Sequence, residues 1–203
     1  IYYTPEYYEL YEKNGDGKSM CFVYEKNDDI ALYPFLINSV NNLGYELDEE
    51  YFDIQGAYGY NGVVSSNYNL SFRKEFYKTF YQYCLGQNII AEFTRFNPII
   101  NNHKFSDYLR PIKANEDIIV DLKHSEKDTW ENIYDRSVRK NVNKAIRCGL
   151  TVKHFSGNEI SVRWLNQFNN IYVSTLKRRN ADKYYFFSEK YFSLLSKKLG
   201  DNI

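Results

Sequence analysis

The residues best suited to chemistry lie in a glycine-punctuated stretch, YFDIQGAYGYNG at residues 51–62. Gly56, Gly59 and Gly62 let the backbone turn sharply or approach a ligand closely. Tyr58 and Tyr60 between them suit stacking on a sugar, and the Asn61 carboxamide can read hydroxyls or amides. The same pattern also describes a tight turn with packing tyrosines. Asp53 can act as a base or an orienting acceptor, although an aspartate there equally caps a turn. Arg95, between Phe93 and Phe96, can contact an anionic ligand or hold a buried ion pair. Arg178 has a guanidinium fork that grips phosphate through two parallel hydrogen bonds. With Lys177 and Arg179 it also complements the negative end of a helix dipole. Arg136, Lys140, Lys144 and Arg147, spaced 4, 4 and 3 apart, form a basic stripe on one helix face. Such a stripe fits tRNA or another polyanion, and it also fits an ordinary solvated face.

Other chemistries lack a pattern. There is no GxxxxGK[ST] for phosphoryl transfer and no GxSxG nucleophile elbow. His103, His124 and His154 have no metal-ligand spacing, so no metal site is expected. Cys21, Cys84 and Cys148 are an odd, scattered set without CxxC. They point to a reducing compartment and read as small buried hydrophobes. No apolar run approaches a membrane-spanning length, and no secretory signal is visible, so a cytoplasmic location is expected.

The elements that must position these residues follow from local signals. Thr4-Pro5-Glu6 starts a helix with Tyr7, Tyr8, Leu10 and Tyr11 as its apolar stripe, ended by Asn14–Gly17. Met20–Tyr24 and Ile30–Ile37 read as a hairpin about Lys26–Asp29, with Pro34 weakening the second strand or placing it at an edge. Phe72, Phe76, Phe80 and Cys84 repeat at i+4, and Gly86 ends their helix, which Asn69 or Ser71 caps. Asn88–Thr94 follows as a strand. Ile118–Leu122 and Leu150–Phe155 are further strand candidates. Between them runs one helix, opened by Ser125 and Asp128 and closed by Gly149. Trp164–Asn180 and a Ser188-capped segment ending at Gly200 complete the helices.

The 203 residues carry 26 basic and 26 acidic side chains, 21 Tyr and 14 Phe, enough aromatic surface for a core. Residues 1–117 hold 10 Lys/Arg against 17 Asp/Glu, and residues 118–203 hold 16 against 9. The polar segment 103–116, with Pro111, marks a boundary between an N-terminal part, 1–117, and a C-terminal part, 118–203. Alternating helices and strands imply an α/β or α+β class.

Five blocks in order carry a resemblance. YFDIQGAYGYNG is followed by AEFTRFNP at 91–98 and RSVRKNVNKAIRCGLTV at 136–152. F-x2-IY-x2-T-x2-R spans 168–178, and YYFFSEKYF closes the series. The chain, over roughly residues 20 to 200, resembles the FemAB-like acyltransferases, the peptidoglycan-bridge aminoacyltransferases and their relatives in polysaccharide biosynthesis. The resemblance implies a GNAT-like mixed sheet flanked by helices, with residues 1–117 as one half and 118–203 as an incomplete second half. It implies acyl transfer to an amine on a cell-wall or surface-polysaccharide precursor, with acyl-CoA or aminoacyl-tRNA as donor. It places Arg178 of the T-x2-R pattern near substrate phosphate. The donor-cradling loop of such folds has no counterpart after Ser188–Gly200, so a native chain extending beyond residue 203 is expected. The alternative is a non-catalytic module that binds an anion or RNA.

Overall fold

The computed structural model describes residues 1–106, 109–156 and 159–200. Residues 107 and 108, in the segment read as a connector, and 201–203 lie outside the described residues. The chain forms two compact units, Ile1–Ile112 together with Ser156–Ile203, and Lys113–Phe155. The boundary expected at 117/118 thus falls inside the second unit, and the C-terminal helices belong to the first.

Helix α1 (Pro5–Asn14) begins at extended Thr4 with proline in its first turn and ends at Gly15, φ 96°. Only a residue without Cβ adopts that angle freely. Strands β1 (Lys18–Lys26) and β2 (Asp29–Ser39) then form a hairpin longer than expected, paired from Lys18 with Ile37 to Lys26 with Asp29. Asn27, at φ 55°, makes its tight turn. Strand β3 (Phe52–Gln55) pairs antiparallel with the Leu36–Ser39 end of β2, and β4 (Val64–Ser65) pairs with Ala31 and Leu32. Pro34 therefore lies in an interior strand, not at an edge. It sits in the gap between the β4 and β3 pairings, where no neighbouring strand needs its missing N–H. Its carbonyl accepts from the Tyr8 hydroxyl at 3.0 Å. Helix α2 (Leu70–Gly86) crosses to β5 (Ile89–Phe93), which lies parallel to β3. The path across the sheet is β1-β2-β3-β5, with β4 beside β2. This mixed sheet flanked by helices fits the α+β class.

In the second unit, Ser125 caps a short helix, α3 (Glu126–Asp128), which widens into a π-helical turn at Thr129–Ile133. The single helix expected here is broken at Tyr134. Asp135 starts a new one, α4 (Arg136–Arg147), by accepting from the Ser137 and Val138 amides at 2.7 and 2.9 Å. Arg139 reaches back to the Trp130 and Tyr134 carbonyls at 3.0 and 2.7 Å, closing the preceding turn. The segments 118–122 and 150–155 are not strands. Ile118 and Val152 are each 97% exposed, with no strand partner among the described residues, and an unpaired strand is not stable alone.

The chain returns to the first unit with α5 (Val162–Arg179) and α6 (Glu189–Leu199), the latter capped by Ser188. Side chains alternate across the sheet. On one face Tyr33, Phe35 and Ile54 meet Phe72, Phe76 and Phe80 of α2. On the other, Leu36 meets Tyr8, Leu10 and Tyr11 of α1, joined by Tyr191, Phe192 and Leu199 of α6. The first unit is thus a sheet between two helical layers. The cysteines depart from expectation: Cys21 and Cys148 are exposed and Cys84 half-buried, all as free thiols.

Candidate functional site

The carboxyl ends of β3 and β5 lie side by side, and an isolated parallel bridge between Asn61 and Phe96 continues their pairing into the following loops. In open α/β sheets this edge is where a crevice forms and ligands bind. The loop after β3 is locked by Asn61, which is 1% exposed. Its amide donates to the Arg95 carbonyl at 2.8 Å, and its Oδ1 accepts from the Arg95 amide at 2.7 Å. Its own carbonyl accepts from Asn102 Nδ2 at 2.9 Å. Asn102, fully buried, also accepts from the Asn97 amide at 2.8 Å. Gly56 is required by this packing, because a Cβ there would stand 2.3 Å from Asn61 Cγ. The close approaches expected of the glycine stretch are to the chain itself: Gly56 to Asn61, Gly59 to Tyr2, and Gly62 to Asn102 and Phe96. The Asn61 side chain fixes the loop from within and is not exposed on its rim, although its buried Nδ2 has no hydrogen-bond partner among the described residues.

The loop displays tyrosines. Tyr58 is 42% exposed, with its ring 6.2 and 6.0 Å from those of Tyr184 and Tyr185. Its carbonyl accepts from the Tyr7 hydroxyl at 2.5 Å. Tyr60 is half-buried and stands edge-on to Tyr2 at 5.4 Å. Behind them the Tyr11 and Tyr191 hydroxyls share a hydrogen bond at 2.8 Å. Burial pushes the Tyr3 and Tyr184 hydroxyls up to about 12, and raises those of Tyr7, Tyr8 and Tyr11 further. These phenols therefore stay protonated at neutral pH. They offer neutral hydrogen bonds and ring faces, not a base.

Arg95 is exposed, held in place by its backbone bonds to Asn61, and makes no ion pair among the described residues. The buried ion-pair role open to it in the sequence is not what it plays. Asp53 lies within β3, half-buried on the sheet face opposite α2, opposite Asn38 and Ala91. Arg178 is exposed in the last turn of α5. The turn that follows, Lys183–Tyr185, carries the two rings that meet Tyr58. Tyr58, Tyr60 and Arg95 thus share the loops at one sheet edge, and Arg178 precedes a segment that reaches it. In the second unit, Arg136, Lys140, Lys144 and Arg147 are all exposed on α4.

Sequence reasoning missed the supporting tyrosines, Tyr2, Tyr7 and Tyr184; Tyr7 read only as part of the apolar stripe of α1, and Tyr2 and Tyr184 lie outside that helix. It also missed Glu92, whose signal was a carboxylate inside the run IIAEF. Among the described residues no three His, Cys, Asp or Glu side chains gather as metal ligands, and no helix is long and apolar enough to cross a membrane. No family model, no curated protein and no solved structure matches the chain.

Proposed function

We propose that the chain is an acyltransferase that moves an acyl or aminoacyl group onto an amine of a cell-wall or surface-polysaccharide precursor in the cytoplasm. The observation that carries this reading is the convergence of the β3 and β5 carboxyl ends on a locked glycine loop that presents Tyr58 and Tyr60 beside exposed Arg95. The order of the five sequence blocks supports it independently.

Acyl transfer to an amine requires a neutral amine, two aligned substrates and a stabilised oxyanion. Tyr58 and Tyr60 supply the stacking surface and hydrogen-bonding hydroxyls for a sugar or peptide acceptor. Arg95 and Arg178 supply guanidinium groups for phosphate, present in both acyl-CoA and aminoacyl-tRNA. Positioning provides the acceleration, and Asp53 is the carboxylate to test as base. The deciding assay offers the protein each donor in turn with amine-bearing peptidoglycan and amino-sugar precursors. Transfer from one donor is expected, with Tyr58→Ala and Arg95→Ala each lowering kcat/KM by about tenfold or more. No transfer from either donor to any of these acceptors overturns the reading.

A second reading rests on α4, which has five basic side chains and no acidic one over Arg136–Arg147. On this reading the chain is a non-catalytic module for RNA or another polyanion. Salt-titrated tRNA binding separates the two. Removing Lys140 or Lys144 should flatten the salt dependence by about one phosphate contact each.

A further inference from the structure

A cavity of about 720 Å3 opens in the first unit between α2 and β5. Small-molecule sites typically span about 300–1,000 Å3. Its walls are mainly apolar, with Phe80, Cys84 and Leu85 on the helix side and Ile89 and Ile90 on the strand side. Glu92 of β5 also lines it.

The setting of Glu92 gives the cavity its chemistry. The Tyr33 hydroxyl, buried at 1% exposure, donates to Glu92 Oε1. Thr94 Oγ1 donates to the same oxygen at 2.9 Å. Burial and the Glu92 charge hold the Tyr33 hydroxyl well above its ordinary pKa, so it remains a donor. Both bonds fall on one oxygen, and Oε2 receives none among the described residues. Of the other ionisable groups in the walls, Lys78 makes no ion pair with Glu92 among the described residues. Cys84 is pushed up to about 11 by burial and by Glu92, and so stays a thiol. Lys78 is exposed on α2, one turn from Glu75, whose carboxyl its charge helps to hold low. A half-buried carboxylate in an apolar cavity, fixed by two donors and with one oxygen left over, is matched by a cation.

We propose that the α2–β5 cavity binds a primary amine on an apolar chain, the ammonium on Glu92 Oε2 and the chain along Phe80, Leu85 and Ile90. An alcohol of the same length keeps the apolar contact and loses the charge-assisted bond. A carboxylate of the same length meets repulsion from Glu92. The proposal stands apart from the acyl-transfer reading, since it concerns equilibrium binding and needs no donor.

The test is calorimetric titration of the full chain with octylamine, octanol and octanoate at neutral pH, with amide NMR shifts to locate binding. Octylamine should bind about tenfold tighter than octanol, octanoate should bind weakest, and shifts should cluster on β5 and α2. Glu92→Gln should bring octylamine and octanol to equal affinity. Ile90 is 60% exposed, so Ile90→Ala leaves the fold intact and should weaken both ligands alike. Equal binding of octylamine and octanol by the unaltered chain, shifts confined to other surfaces, or an amine preference that survives Glu92→Gln would each overturn the proposal. Should Glu92→Gln fail to fold, the ligand ranking, the shifts and Ile90→Ala still decide.

Discussion

At the scale of single residues, two glycines separate packing from permissive geometry. Gly56 has the Asn61 side chain where a methyl group would go, whereas Gly86, at the end of α2, has nothing within 4 Å of that position. Gly56→Ala should lower unfolding free energy by about 1–3 kcal/mol through overpacking. Gly86→Ala should be neutral or stabilising by up to about 1 kcal/mol. Urea denaturation measures both, and equal effects would mean that Asn61 is not packed as described. Tyr11→Phe keeps the ring and deletes the hydroxyl shared with Tyr191, which should cost about 1 kcal/mol in the same assay. The glycines were legible in the sequence as a place of close approach. What approaches them was not, because Asn61 is buried by Asn102 and by the backbone at Arg95, far along the chain. Burial belongs to the neighbours of a residue, and its own spacing does not encode them.

Elements were legible to the extent that their signals are local. The helix starts at Thr4, Asn69, Ser125 and Ser188 are all present where signals a few residues wide put them, but only the Ser125 and Ser188 side chains make the capping bond; those of Thr4 and Asn69 do not. Strands need partners, so Ile118–Leu122 and Leu150–Phe155 looked like strands and are not. Both have the apolar composition but lack an edge to pair with. Pro34 misled for a related reason, since it is tolerated wherever a ladder has a gap, and an interior gap looks like an edge in sequence. The break ahead of α4 is set by Asp135, which should make Asp135→Ala lose helical signal in circular dichroism and weaken tRNA binding together. Unchanged dichroism would show that α4 does not depend on this cap. In α2, Phe76 is fully buried and touches rings from β1 and from Phe105. Phe76→Ala should cost about 3–5 kcal/mol by urea denaturation, enough to unfold a marginal domain.

For the molecule as a whole, the tyrosines set the alkaline limit. Their ordinary pKa is 10.0, and in the fold Tyr3 and Tyr184 rise to about 12. The unfolded chain releases these protons first, so the folded state binds more of them and stability falls as pH rises. The urea midpoint should hold up to about pH 10 and decline as pH rises from 10 to about 12. A midpoint unchanged across that interval would contradict the buried hydroxyl network. The charge imbalance between 1–117 and 118–203 was plain in the sequence, but it did not reveal how the chain divides. The last helices return to the acidic part, and contacts between distant segments decide that.

The clasp between α1 and α6 has a consequence for how the protein is made. Tyr11 meets Tyr191, and Glu9 meets Lys198, across 180 and 189 residues of chain. On a ribosome that emits residues one after another, Tyr11 and Glu9 wait for these partners until residues 191 and 198 have emerged. A translation pause ahead of the Tyr191 codon would therefore lengthen the interval in which Tyr11 lacks its partner hydroxyl.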